Sequence, residues 1–205
     1  MIAIIDYGRG NLGSVEKAFE RVGIPASVTE DPRAVDDAAA VVLPGDGAFH
    51  DAMTNLGARG LVEPLRRALD GTRPFLGICL GYQLLFSTSE EFGEGRGLDV
   101  IPGVVRRFPA GRKVPHMGWN RVGHDGSLAL FAGIPSGAHF YFVHSYYPET
   151  ARPDLQLAWC DYGSVRFPAA VQHGRIHATQ FHPEKSQRWG LRMLENFAAI
   201  VKGCS

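Results

Sequence analysis

Three short runs of the chain, Ile2 to Ile5, Ala40 to Leu43 and Phe75 to Ile78, contain no polar residue at all. A strand with one wet face alternates polar and apolar residues. Strands without alternation belong to a sheet buried on both sides, which in practice is a parallel sheet between layers of helix. The segments between the runs fit that geometry. Asp6 and the glycine-rich stretch YGRGNLG form a loop, after which Val15, Ala18, Phe19 and Val22 recur at helical spacing, with Ser14 as the expected N-cap and Gly23 as the stop. After Leu43 the segment PGDGAF is a loop, and further on Leu61, Leu65, Ala68 and Leu69 share one helix face. The repeated order of strand, loop and helix predicts an α/β fold with a mostly parallel central sheet and helices on both faces.

The second half reads differently. Strand-like runs fall near Val104 to Phe108, Phe140 to Tyr147, Leu155 to Tyr162, Ala169 to Gln172 and Ile176 to Gln180, and only the last precedes a long helix, from about Gln187 to Val201. His173-Gly174 between two of these runs is a two-residue hairpin signal, so part of the sheet is antiparallel and the whole is mixed. The glycine-rich stretch EEFGEGRG, Glu90 to Gly97, reads as a surface loop. No repeat or linker divides the chain, and 205 residues at 45% hydrophobic and 20% charged composition suffice for one core, so a single domain spanning 1–205 is expected.

Twenty-one basic residues balance twenty-one acidic ones with no long basic cluster, the largest being pairs such as Arg106-Arg107 and Arg112-Lys113, which argues against nucleic-acid or anionic-membrane partners. Cys79, Cys160 and Cys204 are odd in number, widely spaced and without a CxxC pair, so neither a disulfide framework nor a metal site is expected and a reducing cytoplasm suits the chain. The N-terminus has neither the basic lead of a signal peptide nor the length of a membrane span.

The sharpest local feature is PFLGICLGYQLLF, residues 74 to 86. A strand runs into Gly77-Ile78-Cys79-Leu80-Gly81 and a helix leaves it, which is the arrangement of a nucleophile elbow with cysteine in the nucleophile's place. Cys79 then sits at a helix N-terminus, where the dipole and unpaired amides favour thiolate, and the Leu80 amide is aimed at a developing oxyanion. A lone cysteine at a strand end is ordinarily inert packing; the flanking glycines move the reading to a nucleophile. A thiol nucleophile needs a base, and TQFHPEKS, residues 179 to 186, offers one. Pro183 biases His182 toward extended backbone, where residues two apart share a face, so Glu184 is placed to orient the His182 imidazole.

GICLGYQ together with a distant QFHPE resembles the class I glutamine amidotransferases. Within that family the opening IIDYGRGNLGSV, the LPGDGAF loop, PHMGWN at 115 to 120, YFVHSYY at 141 to 147 and QFHPEKS resemble the branch that serves imidazole glycerol phosphate synthesis. The likeness runs from Ile2 to the last helix and implies a single flavodoxin-like α/β domain. It implies hydrolysis of the glutamine side-chain amide by Cys79, His182 and Glu184, with the oxyanion held by the Leu80 amide and an amide of Gly45-Asp46-Gly47. Gln83, Ser145 and Tyr146 match positions around the amino-acid head of glutamine. The resemblance further implies that ammonia passes to a barrel-shaped cyclase subunit in a heterodimer, faced by Trp119, Tyr141 and Lys185, and that no cofactor is needed. Two departures stand out: Asp46 occupies a position where many relatives carry valine, and Gln187 one where glycine is common.

Three other readings compete with this one: an amidotransferase of another pathway, which PHMGWN and YFVHSYY oppose; a regulatory subunit with an idle triad, which the complete Cys79, His182 and Glu184 set opposes; and a cysteine peptidase, for which nothing suggests a peptide cleft.

Overall fold

The computed structural model describes residues 1–111, 113–152 and 155–203, so Arg112 and Cys204 lie outside the described residues. In chain order the strands are β1 (Ile2–Ile5), β2 (Ala26–Thr29), β3 (Ala40–Leu43), β4 (Phe75–Ile78), β5 (Phe86–Ser89), β6 (Gly95–Arg96), β7 (Ile101–Arg107), β8 (His116–Val122), β9 (Ala138–His144), β10 (Tyr146–Glu149), β11 (Gln156–Tyr162), β12 (Val165–His173) and β13 (Ile176–Thr179). The helices are α1 (Leu12–Arg21), α2 (Pro32–Asp36), α3 (Phe49–Ala58), α4 (Val62–Ala68), α5 (Leu80–Gln83) and α6 (Gln187–Lys202).

Seven strands form the central sheet in the order β11-β12-β13-β4-β3-β1-β2. From β13 to β2 neighbouring strands are parallel, and β12 and β11 continue the sheet antiparallel. The unbroken apolar runs are explained by their positions. Ile2 and Ile4 of β1 join a core with Phe19 of α1 and Phe197 of α6, while Ala3 and Ile5 join the opposite core with Leu56 of α3 and Leu65 of α4. Both faces of the strand are buried, so neither admits a polar side chain. The sheet is mixed and covered on both faces, as the patterning predicts.

Several details differ from the sequence reading. Asn11, not Ser14, caps α1: its side-chain oxygen accepts from the Ser14 amide at 3.4 Å, so the helix begins three residues earlier than its apolar face suggests. The run Phe140 to Tyr147 is two strands. The chain changes pairing partner at Ser145, with His144 opposite His116 in one ribbon and Tyr146 opposite Arg107 in a separate four-stranded sheet of order β10-β7-β5-β6. The hairpin turn before β13 is Gly174-Arg175 rather than His173-Gly174, because His173 still pairs with Ile176 and Gly174 supplies the φ of +59° the turn needs. The stretch 90–97 is partly structured, since Gly95 and Arg96 pair with β5. Gln187 opens α6 at φ 50°, a left-handed backbone that suits the glycine common at that position in the family. Among the described residues no helix is long and apolar enough to cross a membrane.

His177 of β13 is buried, and its Nδ1 has no hydrogen-bond partner among the described residues. Burial pushes its pKa down from 6.5 to about 4. The unfolded chain therefore binds a proton near 6.5 that the folded chain refuses until near 4; the stabilisation is whole above 6.5 and is lost as pH falls toward 4. Replacing His177 with Leu is expected to flatten the decline of unfolding free energy across that interval, measured by urea denaturation at a series of pH values. His116 and His144, depressed in the same direction, contribute to the slope that remains.

Candidate active site

The strand β13 lies beside β4 in parallel register, Thr179 opposite Ile78, so the two strands end at the same level of the sheet. The residues just beyond those ends are therefore neighbours, although more than a hundred positions separate Cys79 from His182. The Cys79 amide donates to the Thr179 carbonyl at 2.8 Å, closing the junction.

Cys79 itself takes the strained backbone, with φ 55° and ψ −105°. A non-glycine residue in this region carries on the order of 1–3 kcal/mol of strain, held by the packing around it. The glycines on either side act through close approach. A Cβ on Gly81 would lie 1.8 Å from the Leu43 carbonyl oxygen, and one on Gly77 would lie 2.9 Å from that of Gly81. The turn can therefore form only against bare backbone. The helix that leaves it, α5, has only four residues, so the local amides rather than a long dipole act on Cys79.

His182 is extended, at φ −100° and ψ 101°, and its backbone amide donates to the Tyr141 carbonyl at 3.0 Å. Its Nδ1 lies 2.8 Å from Glu184 Oε1, with the two side chains 7% and 2% exposed. The contact is the one expected, but its geometry is different. Pro183–Lys185 is a turn of 3-10 helix, and this turn rather than a continued extended chain folds the carboxylate back onto the ring. The second Glu184 oxygen is buried and has no hydrogen-bond partner among the described residues. Burial opposes a charge on His182, but the charge and hydrogen-bonding capacity of Cys79, together with Glu184, outweigh it and raise its pKa to about 10. The site favours the imidazolium form of His182 at neutral pH. Cys79 Sγ also receives the Gln180 Nε2 at 3.7 Å.

Cys79 and His182 open on a cleft of about 390 Å³, whose walls include Asp46, Gly47, Leu80, Gln83, Ser145, Tyr146 and Lys185. All the residues expected near the head of a small amino acid thus meet in one place. The candidate oxyanion donors are differently disposed. The Leu80 amide faces the Gly45 carbonyl at 3.4 Å, and Asp46 is exposed, with Oδ1 accepting from the Gly10 amide at 3.1 Å. Gln83 is buried and spends its Nε2 on the Tyr146 carbonyl at 2.9 Å and Gln180 Oε1 at 3.1 Å. Trp119 is 47% exposed and meets Tyr141 edge-on at 6.1 Å between ring centroids. Lys185 is exposed on the rim of the cleft. One wall residue escaped the sequence reading: Glu91, whose Oε2 accepts from the Phe49 amide at 2.7 Å and whose pKa is raised by burial. It lies in the stretch read as a surface loop, and no local pattern marks it.

The fold has counterparts among known proteins. The chain belongs to the class-I glutamine amidotransferase family, whose model matches residues 3–201. Relatives named "Imidazole glycerol phosphate synthase subunit HisH" are similar over nearly the whole length. That of Moorella thermoacetica is 54% identical, covering 98% of this chain and 95% of its own, and that of Methanothermobacter thermautotrophicus is 51% identical, covering 98% and 100%. Among solved structures, a glutamine amidotransferase superposes with a TM-score of 0.75 at 20% identity, covering 98% of this chain and 100% of that one. The glutaminase domain of Trypanosoma brucei CTPS with bound acivicin superposes with a TM-score of 0.70 at 19% identity, covering 98% and 93%. These two share the fold.

Burial and Asp161 push the Cys160 thiol up to about 12, so it is a poor nucleophile. A glutamine-analogue electrophile is expected to label Cys79 alone, as read by peptide mass spectrometry; label on Cys160 or Cys204 alone would reject the elbow as the reactive site. Glu184→Gln is expected to slow labelling less than His182→Ala, and the double variant to be no slower than His182→Ala, because the two side chains act as a unit.

Proposed function

We propose that this chain is the glutaminase subunit of imidazole glycerol phosphate synthase. In this reading it hydrolyses glutamine to glutamate and ammonia and passes the ammonia to a HisF-like cyclase subunit, which makes imidazole glycerol phosphate and aminoimidazole carboxamide ribonucleotide in histidine biosynthesis. The observation that carries the reading is the buried His182–Glu184 pair, with His182 and Cys79 facing one cleft sized for one amino acid, in a chain about half identical over nearly its whole length to proteins of that name. The same reading makes it a cytoplasmic protein working in a heterodimer.

The Cys79 thiolate attacks the carboxamide carbon, and negative charge gathers on the amide oxygen. His182 gives its proton to the nitrogen, the C–N bond breaks, and ammonia leaves a thioester on Cys79. Water then attacks the thioester as His182 takes its proton, and glutamate departs with the thiolate restored. Glu184 keeps the ring oriented and supports its charge throughout. Glu91 supplies the carboxylate that a substrate ammonium requires, and Gln83, Ser145 and Tyr146 complete the head-group wall. Trp119 and Tyr141 lie where the cyclase docks, and Lys185 pairs with it there.

The oxyanion site explains how such a glutaminase is restrained. While the Gly45 carbonyl occupies the Leu80 amide, that donor is not free for the substrate oxygen, and a carbonyl oxygen faces the place where negative charge would develop. The resting chain is thus a poor catalyst. Gly47, already at φ +89°, gives the loop backbone freedom to release the amide when the partner is loaded. A differential affinity of roughly 3 kcal/mol suffices to raise the competent population about a hundredfold.

Steady-state glutamine hydrolysis is expected to be slow in the free chain, faster in the complex and faster by about a hundredfold when a ribonucleotide analogue fills the cyclase. Three equal rates would sink the restraint. Cys79→Ala is expected to abolish glutamine hydrolysis and leave ammonia-dependent cyclisation in the complex intact.

A further inference from the structure

Beside the cleft, β8 and β9 bury two imidazoles in contact, and one of them, His144, also lines it. His116 Nδ1 lies 3.0 Å from His144 Nε2. His144 Nδ1 lies 2.8 Å from the Tyr146 carbonyl, and Asn120 Nδ2 lies 3.2 Å from His116 Nε2. Donor and acceptor roles are set by the two ends. The Asn120 amide is oriented independently, since its Oδ1 accepts from the Arg121 amide at 2.8 Å and its Nδ2 donates to the Asp161 carbonyl at 3.0 Å. Nδ2 carries only hydrogens, so His116 Nε2 must accept and its proton sits on Nδ1. At the other end a carbonyl only accepts, so His144 donates from Nδ1 and accepts at Nε2. The two ends demand the same tautomers, and the links form one directional chain from Asn120 through His116 and His144 to Tyr146.

That chain ends on the substrate wall. The Tyr146 carbonyl also receives Gln83 Nε2, whose second hydrogen goes to Gln180. With both Nε2 hydrogens spent inside the wall, Oε1 is the Gln83 atom left to a ligand, and it suits a substrate ammonium. His116 is held flat for its part in this chain, stacked between Phe142 at 4.9 Å and Tyr162 at 4.0 Å. Burial keeps both imidazoles neutral, His116 down to about 4 and His144 to about 3, so no titration near neutrality reverses a link.

The geometry points to His116 as a positioning residue: through His144 it holds the Tyr146 carbonyl, and with it Gln83, in the orientation that receives the amino-acid head of the substrate. This rests on the reading of the cleft as a glutamine site.

The tautomers are tested first, on the full chain with 15N-labelled histidine. Both His116 and His144 are expected neutral with the proton on Nδ1 at pH 7, and a His144 proton on Nε2 would overturn the proposal. Kinetics are then measured in the complex with its cyclase and a ribonucleotide analogue. His116→Phe keeps the stack but donates nothing, and leaving a buried acceptor unpaired is expected to raise the glutamine KM about tenfold with kcat little changed. His116→Asn restores a donor and is expected to bring KM back to within about threefold of wild type. Alkylation of Cys79 by iodoacetamide, which has no amino-acid head, is expected to proceed equally in all three. A KM unchanged in His116→Phe, or alkylation that falls in step with it, would overturn the proposal. Should the wild-type complex turn over no glutamine, the function reading fails, and the tautomers still decide the relay.

Discussion

The parallel pairing of β4 with β13 is the contact on which the site depends. Each strand leads at its C-terminal end into one partner of the proposed reaction, and their register places the two ends level. Because β13 enters the middle of the sheet only after β5 to β12 have been laid down, the pairing carries a large sequence separation and a corresponding loop-closure cost, met by burial on both faces of the sheet. A one-residue slip would turn the side chains of one strand to the opposite face relative to the other and separate thiol from imidazole.

The strain and the charge arise from this pairing. Cys79 is held in a backbone conformation it would not adopt alone, and the absence of side chains at Gly77 and Gly81 lets the neighbouring backbones hold it there. The thiol is thereby lifted above the sheet beside a histidine whose carboxylate partner comes from the turn after β13. Burial alone would hold His182 neutral, and the proximity of Cys79 and Glu184 reverses that preference, which is why His182 is raised whereas His116, His144 and His177, buried without a carboxylate, are depressed.

The rest of the molecule supports this centre in two layers. The helices α1, α3, α4 and α6 bury the parallel sheet, and the ribbon β8-β9 with the four-stranded sheet builds the cleft wall. Ser145 joins those two parts, and the change of strand partner there turns Tyr146 toward the cleft. Preorganisation of this kind is expensive in conformational entropy, which explains why the wall is reinforced by buried amide and imidazole hydrogen bonds rather than by apolar packing alone.

The sequence by itself determined the buried parallel strands, since a run such as Ile2 to Ile5 has no wet face to offer, and it determined the candidate triad, since glycines around Cys79 and a carboxylate two residues from His182 are local patterns. Only the tertiary structure decided the remainder. That Ser145 separates two strands, that Gly45 occupies the Leu80 amide, that Glu91 lines the cleft and that His116 meets His144 all depend on residues distant in the chain. The physical reason is that periodicity and turn chemistry report which face of an element is buried. Which donor finds which acceptor across that buried face is set by sheet register, and register is a property of the assembled fold.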